Sequence, residues 1–168
     1  SDSEMIKKIK KYLVKEIDGI KIGFFGLGIE LEGLVGKEYY GNTKYIDPIN
    51  TSKYWSNYLK NKEKCDFVIC LSHLGLEYPT QPTKMSDVLL AKSVDGIDLI
   101  IGGHSHSFLE TPLVEKSPNG KDVLINQEYG GPSNWRNHIE YLMRFFGDDR
   151  YLKIDNMPVI AVYKPILI

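Results

Sequence analysis

The sequence predicts an α/β protein in which a layered β-sheet is flanked by helices. Two strand-length apolar runs, in residues 66–73 and 97–104, lack the polar alternation of a half-exposed strand. Uninterrupted apolar runs of this length are typical of strands that are buried on both faces. A short helical pattern separates the two runs, and alternation of strand and helix favours a parallel sheet. The fold class predicted is therefore α/β, with a C-terminal helix and strand as an extension.

The N-terminal part of the chain predicts a β-hairpin followed by a loop. Residues 12–17 and 20–28 are rich in β-favouring side chains, and Asp18-Gly19 between them tolerates the positive φ of a tight turn. The first run can instead continue a lysine-rich helix that begins near Ser3. Residues 33–42 are rich in glycine and tyrosine without periodicity, so they are predicted to form a loop.

Two helices are predicted from the residues at which they begin. Asp47 can cap free backbone N–H groups and Pro48 suits the first helical position, so a helix is expected over about 48–62. Its spacing places Tyr54, Trp55, Tyr58 and Leu59 on one side. Ser86 is expected to cap a second, short helix. The turn at residues 117–120 then precedes a third strand over 121–127.

The composition indicates a globular chain and argues against two classes of partner. With 21 basic and 22 acidic residues the formal charge is −1, so no nucleic acid polymer is expected as a ligand. The longest apolar stretches fall short of the roughly 20 residues that span a bilayer, so no membrane partner is expected. Cys65 and Cys70 are the only cysteines. We expect free thiols, because disulfide scaffolds use more cysteines in shorter chains.

Three of the four histidines follow predicted strands. His73 ends the first apolar run, while His104 and His106 follow the second run after Gly102 and Gly103. Ligands bind at the carboxyl ends of strands in α/β sheets, so the three side chains are expected to converge there. The paired glycines would let the backbone turn sharply and approach a ligand closely. Because imidazole is the commonest nitrogen ligand of zinc, manganese or iron, a metal site is the simplest common explanation.

Each histidine can also be explained without a metal ion. A single histidine in a strand-end loop is more often a hydrogen-bonded polar residue than a metal ligand. His138 is different from the other three, because it lies beside a helical apolar stripe and is predicted to be a helix-surface residue. The metal hypothesis therefore depends on the convergence of the other three histidines at one edge.

Five stretches of the chain carry a family resemblance. They read GIKIGFFGLGIE, YGNTKYIDPI, CDFVICLSHLG, IDLIIGGHSHSFLE and GKDVLINQ. Over residues 12–127 the chain resembles the second half of the metallophosphoesterase domain of bacterial 5′-nucleotidases. The resemblance implies a partial metallophosphoesterase-type layered β-sandwich that is flanked by helices. It also implies a metal-dependent hydrolase that acts on a nucleotide or another phosphate ester.

The same resemblance implies a cofactor and a set of ligands. One or at most two divalent ions, Zn, Mn or similar, are expected. His73 and His104 would bind one metal, and His106 would bind the other. The resemblance also implies a periplasmic or secreted protein, although the first residues show no signal-peptide pattern.

Other parts of the family's site are not found in this sequence. The Asp-x-His and Gly-Asn-His-Glu motifs that precede the matching stretches in the family do not occur here, so the catalytic residues are unassigned. We therefore expect little or no hydrolysis by this chain alone. The alternative is a non-catalytic fragment or a metal-binding module. Half of a sandwich would leave one sheet edge and one apolar face uncovered, so we expect a homo-oligomer or a poorly soluble monomer.

After Gln127 the sequence changes character. The stretch FFGDDRYLKIDNMPVIAVYKP resembles WbsX-like glycosyltransferases of bacterial polysaccharide synthesis. The resemblance divides the chain into a domain of residues 1–127 and a glycosyltransferase-like helix-strand segment of residues 128–168. It implies that the chain is a junction of two gene pieces, with the seam near Asn126 to Gly131, and it raises glycosyl transfer as a third possible role. Alternatively, the segment is one amphipathic helix and one apolar strand that complete the sheet of the first domain.

Overall fold

A computed structural model describes residues 10–127 and two short strands, Lys153–Ile154 and Met157–Pro158. The chain divides into two compact units, Ser1–Tyr129 and Gly130–Ile168. In the second unit the two short strands pair with each other in antiparallel register. The predicted C-terminal helix, and His138 with it, lies outside the described residues.

The first unit is built on a six-stranded mixed sheet. Its strands are β1 (Tyr12–Ile17), β2 (Ile20–Leu27), β3 (Phe67–Ser72), β4 (Leu99–Ile101), β5 (Leu113–Lys116) and β6 (Asp122–Asn126). Their order in the sheet is β1-β2-β3-β4-β6-β5. The four central strands are parallel, and β1 and β5 are the antiparallel edges. The carboxyl ends of four neighbouring strands therefore lie along one edge of the sheet.

The N-terminal strands form the predicted hairpin. Asp18 and Gly19 have φ values of 51° and 80°, as the two central residues of a type I′ turn require. The alternative of a helix continuing through residues 12–17 is wrong. The loop prediction for 33–42 is wrong for four residues, since Lys37–Tyr40 form a short helix, α1.

The two longer helices begin at the predicted caps. In α2 (Pro48–Asn61) the Asp47 carboxylate accepts a hydrogen bond from the Asn50 N–H at 2.7 Å. In α3 (Asp87–Ser93) the Ser86 Oγ accepts from the Leu89 N–H at 3.2 Å. No helix within the described ranges is long and apolar enough to cross a bilayer.

The predicted apolar side of α2 is narrower in the structure. Leu59 is fully buried, and the Trp55 ring packs on Tyr12 of β1 with ring centroids 5.2 Å apart. Tyr58 also contacts Tyr12, at 5.4 Å between ring centroids. Tyr54 remains 60% exposed, so it lies at the margin of this face and not within it.

The hydrophobic core lies between α2, α3 and one face of the sheet. Its fully buried side chains include Leu59, Val68, Cys70, Leu90, Ala91, Val94, Ile100, Val123 and Ile125. Gly23 of β2 lets α2 approach closely, because a Cβ there would lie 2.9 Å from a Leu59 methyl carbon. Both cysteines are buried, and both are free, as predicted. Burial raises the pKa of the Cys70 thiol well above its usual range, so this thiol is inert.

The opposite face of the sheet is apolar and exposed in the described part of the chain. Four large apolar side chains on this face are between 42% and 52% exposed: Phe67, Leu71, Ile101 and Leu124. The register places Leu71 of β3 beside Ile101 of β4, so the exposed side chains adjoin across strands. The sequence predicts burial on both faces, but within residues 10–127 only the helix-covered face is buried.

Candidate metal site

Two of the three predicted ligands meet at the carboxyl edge of the sheet. His73 follows β3 directly, and its backbone N–H donates to the Leu27 carbonyl of β2 at 3.0 Å. His104 follows β4. The two imidazole rings lie 5.2 Å apart between centroids, at an interplanar angle of 70°. Two imidazoles that share a tetrahedral zinc have centroids about 5 Å apart, because each Zn–N bond is about 2 Å. The spacing of this pair is therefore compatible with one shared ion.

His106 lies on the same loop, one residue beyond Ser105. Its side chain is exposed, as is that of His73, whereas His104 is half-buried. Within residues 10–127, no group of three or more His, Cys, Asp and Glu side chains is arranged to hold a metal ion. The structure thus forms a histidine pair, and metal binding by all three histidines stays a prediction.

The backbone of the histidine loop differs from the sequence-based expectation. Positive φ values occur at His104 (74°) and His106 (53°), and not at Gly102 or Gly103. The two glycines are needed because they lack a Cβ. At Gly102 a Cβ would collide with the Asp87 carboxylate, and at Gly103 it would lie 3.2 Å from His73 Nδ1. The glycines therefore permit close packing of the two histidine-bearing strand ends, while the histidines themselves adopt the left-handed conformation.

Asp87 lies against residues that precede the two histidines in the sequence. The sequence does not identify it as part of the site. Its side chain is fully buried at the first position of α3. The Ser72 hydroxyl, one residue before His73, donates to Asp87 Oδ1, while Oδ2 lies against Gly102. Burial raises the pKa of Asp87 to about 7, and the Ser72 hydrogen bond opposes part of that rise. In the sequence, an acidic residue after a serine cap indicates only an ordinary first helical turn.

A cavity of about 430 Å³ opens at the carboxyl end of β2, the strand next to β3. Its lining includes Glu30, Tyr40, Lys44 and Tyr45. Burial raises the pKa of Tyr45, and the nearby carboxylates of Glu30 and Asp47 add to the rise. The volume lies in the range of small-molecule sites. The sequence analysis predicts a loop for much of this region and gives no sign of a cavity.

Known protein-family models match both parts of the chain. Residues 4–124 match the model of the family described as bacterial capsule synthesis protein, PGA_cap. The chain belongs to the PGA_cap family. A second model, glycosyltransferase WbsX, matches residues 115–168, so that match begins within β5 and continues beyond the described part of the first unit.

The PGA_cap chain is also similar to nucleotide phosphoesterases. It is 32% identical to an apyrase of Tabanus yao, over 86% of this chain and 26% of the apyrase. It is 33% identical to the trifunctional nucleotide phosphoesterase YfkN of Bacillus subtilis, over 73% of this chain and 8% of YfkN. The chain therefore spans about a quarter of the apyrase and less of YfkN.

A solved structure shows the same fold. The NAD nucleotidase of Haemophilus influenzae superposes with a TM-score of 0.58 and 27% identity, over 76% of this chain and 24% of that chain. The predicted fold class is confirmed, as a mixed sheet with flanking helices that resembles 5′-nucleotidases. The relationship to 5′-nucleotidases and other metallophosphoesterases is confirmed over part of the chain.

Proposed function

We propose that this chain supplies part of the metal centre of a phosphoesterase that hydrolyses nucleotides or related phosphate esters. The observation that carries the proposal is the His73–His104 pair, with ring centroids 5.2 Å apart at the ends of two adjacent parallel strands. The similarity to nucleotide phosphoesterases supports the substrate class. In the complete centre, His73 and His104 would hold one divalent ion, zinc or manganese, and His106 would bind a second, whereas the chain alone would hold at most one.

The residues present fit such an ion in part. A divalent ion in a hydrolytic site lowers the pKa of a bound water toward neutrality and withdraws charge from the phosphate. The contribution of this chain is to fix the two imidazoles, because each follows a strand of the same rigid sheet. Exposure of His73 leaves the pair accessible to a phosphate ester. Since no group of three such donors occurs within residues 10–127, binding by the pair alone should be weak.

The chain alone should release phosphate slowly. The family motifs with the remaining ligands and the catalytic Asn-His pair are not found in this sequence. A non-catalytic metal-binding module is the alternative form of the proposal. Robust, metal-dependent release of phosphate from AMP by the purified chain would contradict the expectation of low activity. It would favour an active phosphoesterase over a non-catalytic module.

Zinc titration of the purified chain tests the site itself. We expect at most one zinc per chain, with binding abolished in the His104→Ala, His106→Ala double variant. The His138→Ala variant is the matched control, because it also removes an imidazole but from outside the predicted site. Failure of the wild type to bind zinc or manganese at saturating concentration would refute the metal centre, as would equal binding by the double variant.

A second candidate function is a role in bacterial capsule synthesis. The match of residues 4–124 to the PGA_cap family favours it. Restoration of capsule polymer in a capsule-forming strain that lacks its own family member would support this role. Equal restoration by the His104→Ala, His106→Ala variant would show that the role needs no metal. Either function is compatible with an exported protein, which the 5′-nucleotidase resemblance favours.

A further inference from the structure

We propose that Ser105 is a positioning residue that holds His104 and His106 in their left-handed backbone conformations. The inference rests on the proposed function only where it concerns metal affinity. The two histidines have φ values of 74° and 53°, a backbone conformation that residues other than glycine rarely adopt. Such conformations persist where surrounding contacts determine them. The contacts of Ser105, the residue between them, supply that determination.

The Ser105 hydroxyl uses its full hydrogen-bonding capacity. A hydroxyl group has one proton to donate and two lone pairs that accept. Ser105 Oγ accepts from the Leu76 N–H at 2.9 Å and donates to Gln127 Oε1 at 2.9 Å. Its third contact, with Ser107 Oγ at 3.0 Å, must then have Ser107 as the donor. A single side chain therefore makes three directed bonds, which fix its position in three dimensions.

The three partners of Ser105 belong to different parts of the site. Leu76 lies on the segment that follows His73, so its bond to Ser105 joins the two histidine-bearing loops. Gln127, only 1% exposed, directly follows β6 and provides a rigid anchor. The Gln127 carbonyl also accepts from the Leu109 N–H at 3.0 Å. The loop is thus attached to the end of β6 both at Ser105 and beyond His106.

Loss of the hydroxyl would leave a backbone N–H and a buried side-chain oxygen without these partners. In Ser105→Ala, the Leu76 N–H and Gln127 Oε1 would lose these bonds. Gln127 Nε2 already has no hydrogen-bond partner among the described residues. Without the Ser105 hydroxyl, Oε1 of Gln127 would also lose the side-chain hydrogen bond that now holds it. A buried polar group without a partner is costly, and the loop can avoid that cost by opening to water. Opening would release both histidines from the left-handed conformation.

Amide hydrogen exchange on the metal-free chain tests the inference directly. The Leu76 and Leu109 amides report the two attachments of the loop. We expect both to exchange about tenfold faster in Ser105→Ala, and to return toward the wild-type rate in Ser105→Thr, which keeps the hydroxyl. The control is Ser93→Ala, which removes a serine hydroxyl bond to the Leu89 carbonyl within α3. Unchanged exchange of both amides in Ser105→Ala would overturn the inference.

Zinc affinity of the same variants tests the consequence for the site. We expect Ser105→Ala to bind zinc about tenfold more weakly than the wild type and Ser93→Ala to bind it equally well. Faster exchange with unchanged zinc affinity would overturn the positioning role. If the wild type binds no zinc, the proposed function fails, while the exchange rates still decide whether Ser105 fixes the loop. Should Ser105→Ala fail to fold, Ser107→Ala removes one of the three bonds and should give a smaller acceleration in the same direction.

Discussion

Burial of Asp87 should make the stability of the fold depend on pH. Its pKa is raised from 3.8 to about 7, so the folded chain holds a proton that the unfolded chain releases. The contribution of this group is fully present below about pH 4 and is lost as the pH rises through 7. A shift of about 3 pH units corresponds to about 4 kcal/mol of unfolding free energy, at about 1.4 kcal/mol per unit.

The Asp87→Asn variant isolates this contribution. The amide keeps an acceptor for the Ser72 hydroxyl but cannot ionise. Urea unfolding between pH 4 and pH 8 should therefore show the variant gaining up to about 4 kcal/mol relative to the wild type as the pH rises. Asp122→Asn, at an exposed position of β6, is the matched control. An unfolding free-energy difference between Asp87→Asn and wild type that stays constant across this range would refute the reasoning.

Two further predictions concern packing. Gly102→Ala would drive a Cβ into the Asp87 carboxylate, so thermal unfolding should show a loss of about 1–3 kcal/mol. An unchanged melting temperature would show that the strand ends move apart easily. The exposed apolar face should cause self-association, which sedimentation velocity would detect, and a Leu71→Glu, Ile101→Glu double variant should shift the chain toward monomer. A wild type that sediments as a clean monomer would contradict this.

Local signals in the sequence were sufficient to predict most of the fold. The Asp18-Gly19 turn, the Asp47 cap and the apolar run of β3 each act over a few neighbouring residues, and the structure forms the corresponding hairpin, helix and strand. Strand β5 was not predicted, because its alternating exposure comes from edge pairing with β6 alone. The pairing of His73 with His104 followed from a topological rule about strand ends.

The environment of the site depends on contacts between distant parts of the chain. Asp87 differs from an ordinary first-turn carboxylate because it is buried. Ser72 and Gly102 lie against it, and neither is near it in the sequence. The left-handed conformation of His104 likewise depends on tertiary contacts, which the sequence pattern does not encode locally. Sequence reasoning therefore predicts which histidines lie at the edge, but not the buried groups that hold them.

The exposed apolar sheet face also determines how substitutions in single strands can be interpreted. In β3, Val68 and Cys70 point into the core, while Phe67 and Leu71 alternate with them on the open face. A saturation mutagenesis screen in living cells would distinguish the two sets. Intolerance of polar residues at Val68 would report folding, whereas intolerance at Phe67 would report an association that the cell maintains. Alternate codons of one strand thus provide separate genetic readings of stability and of assembly.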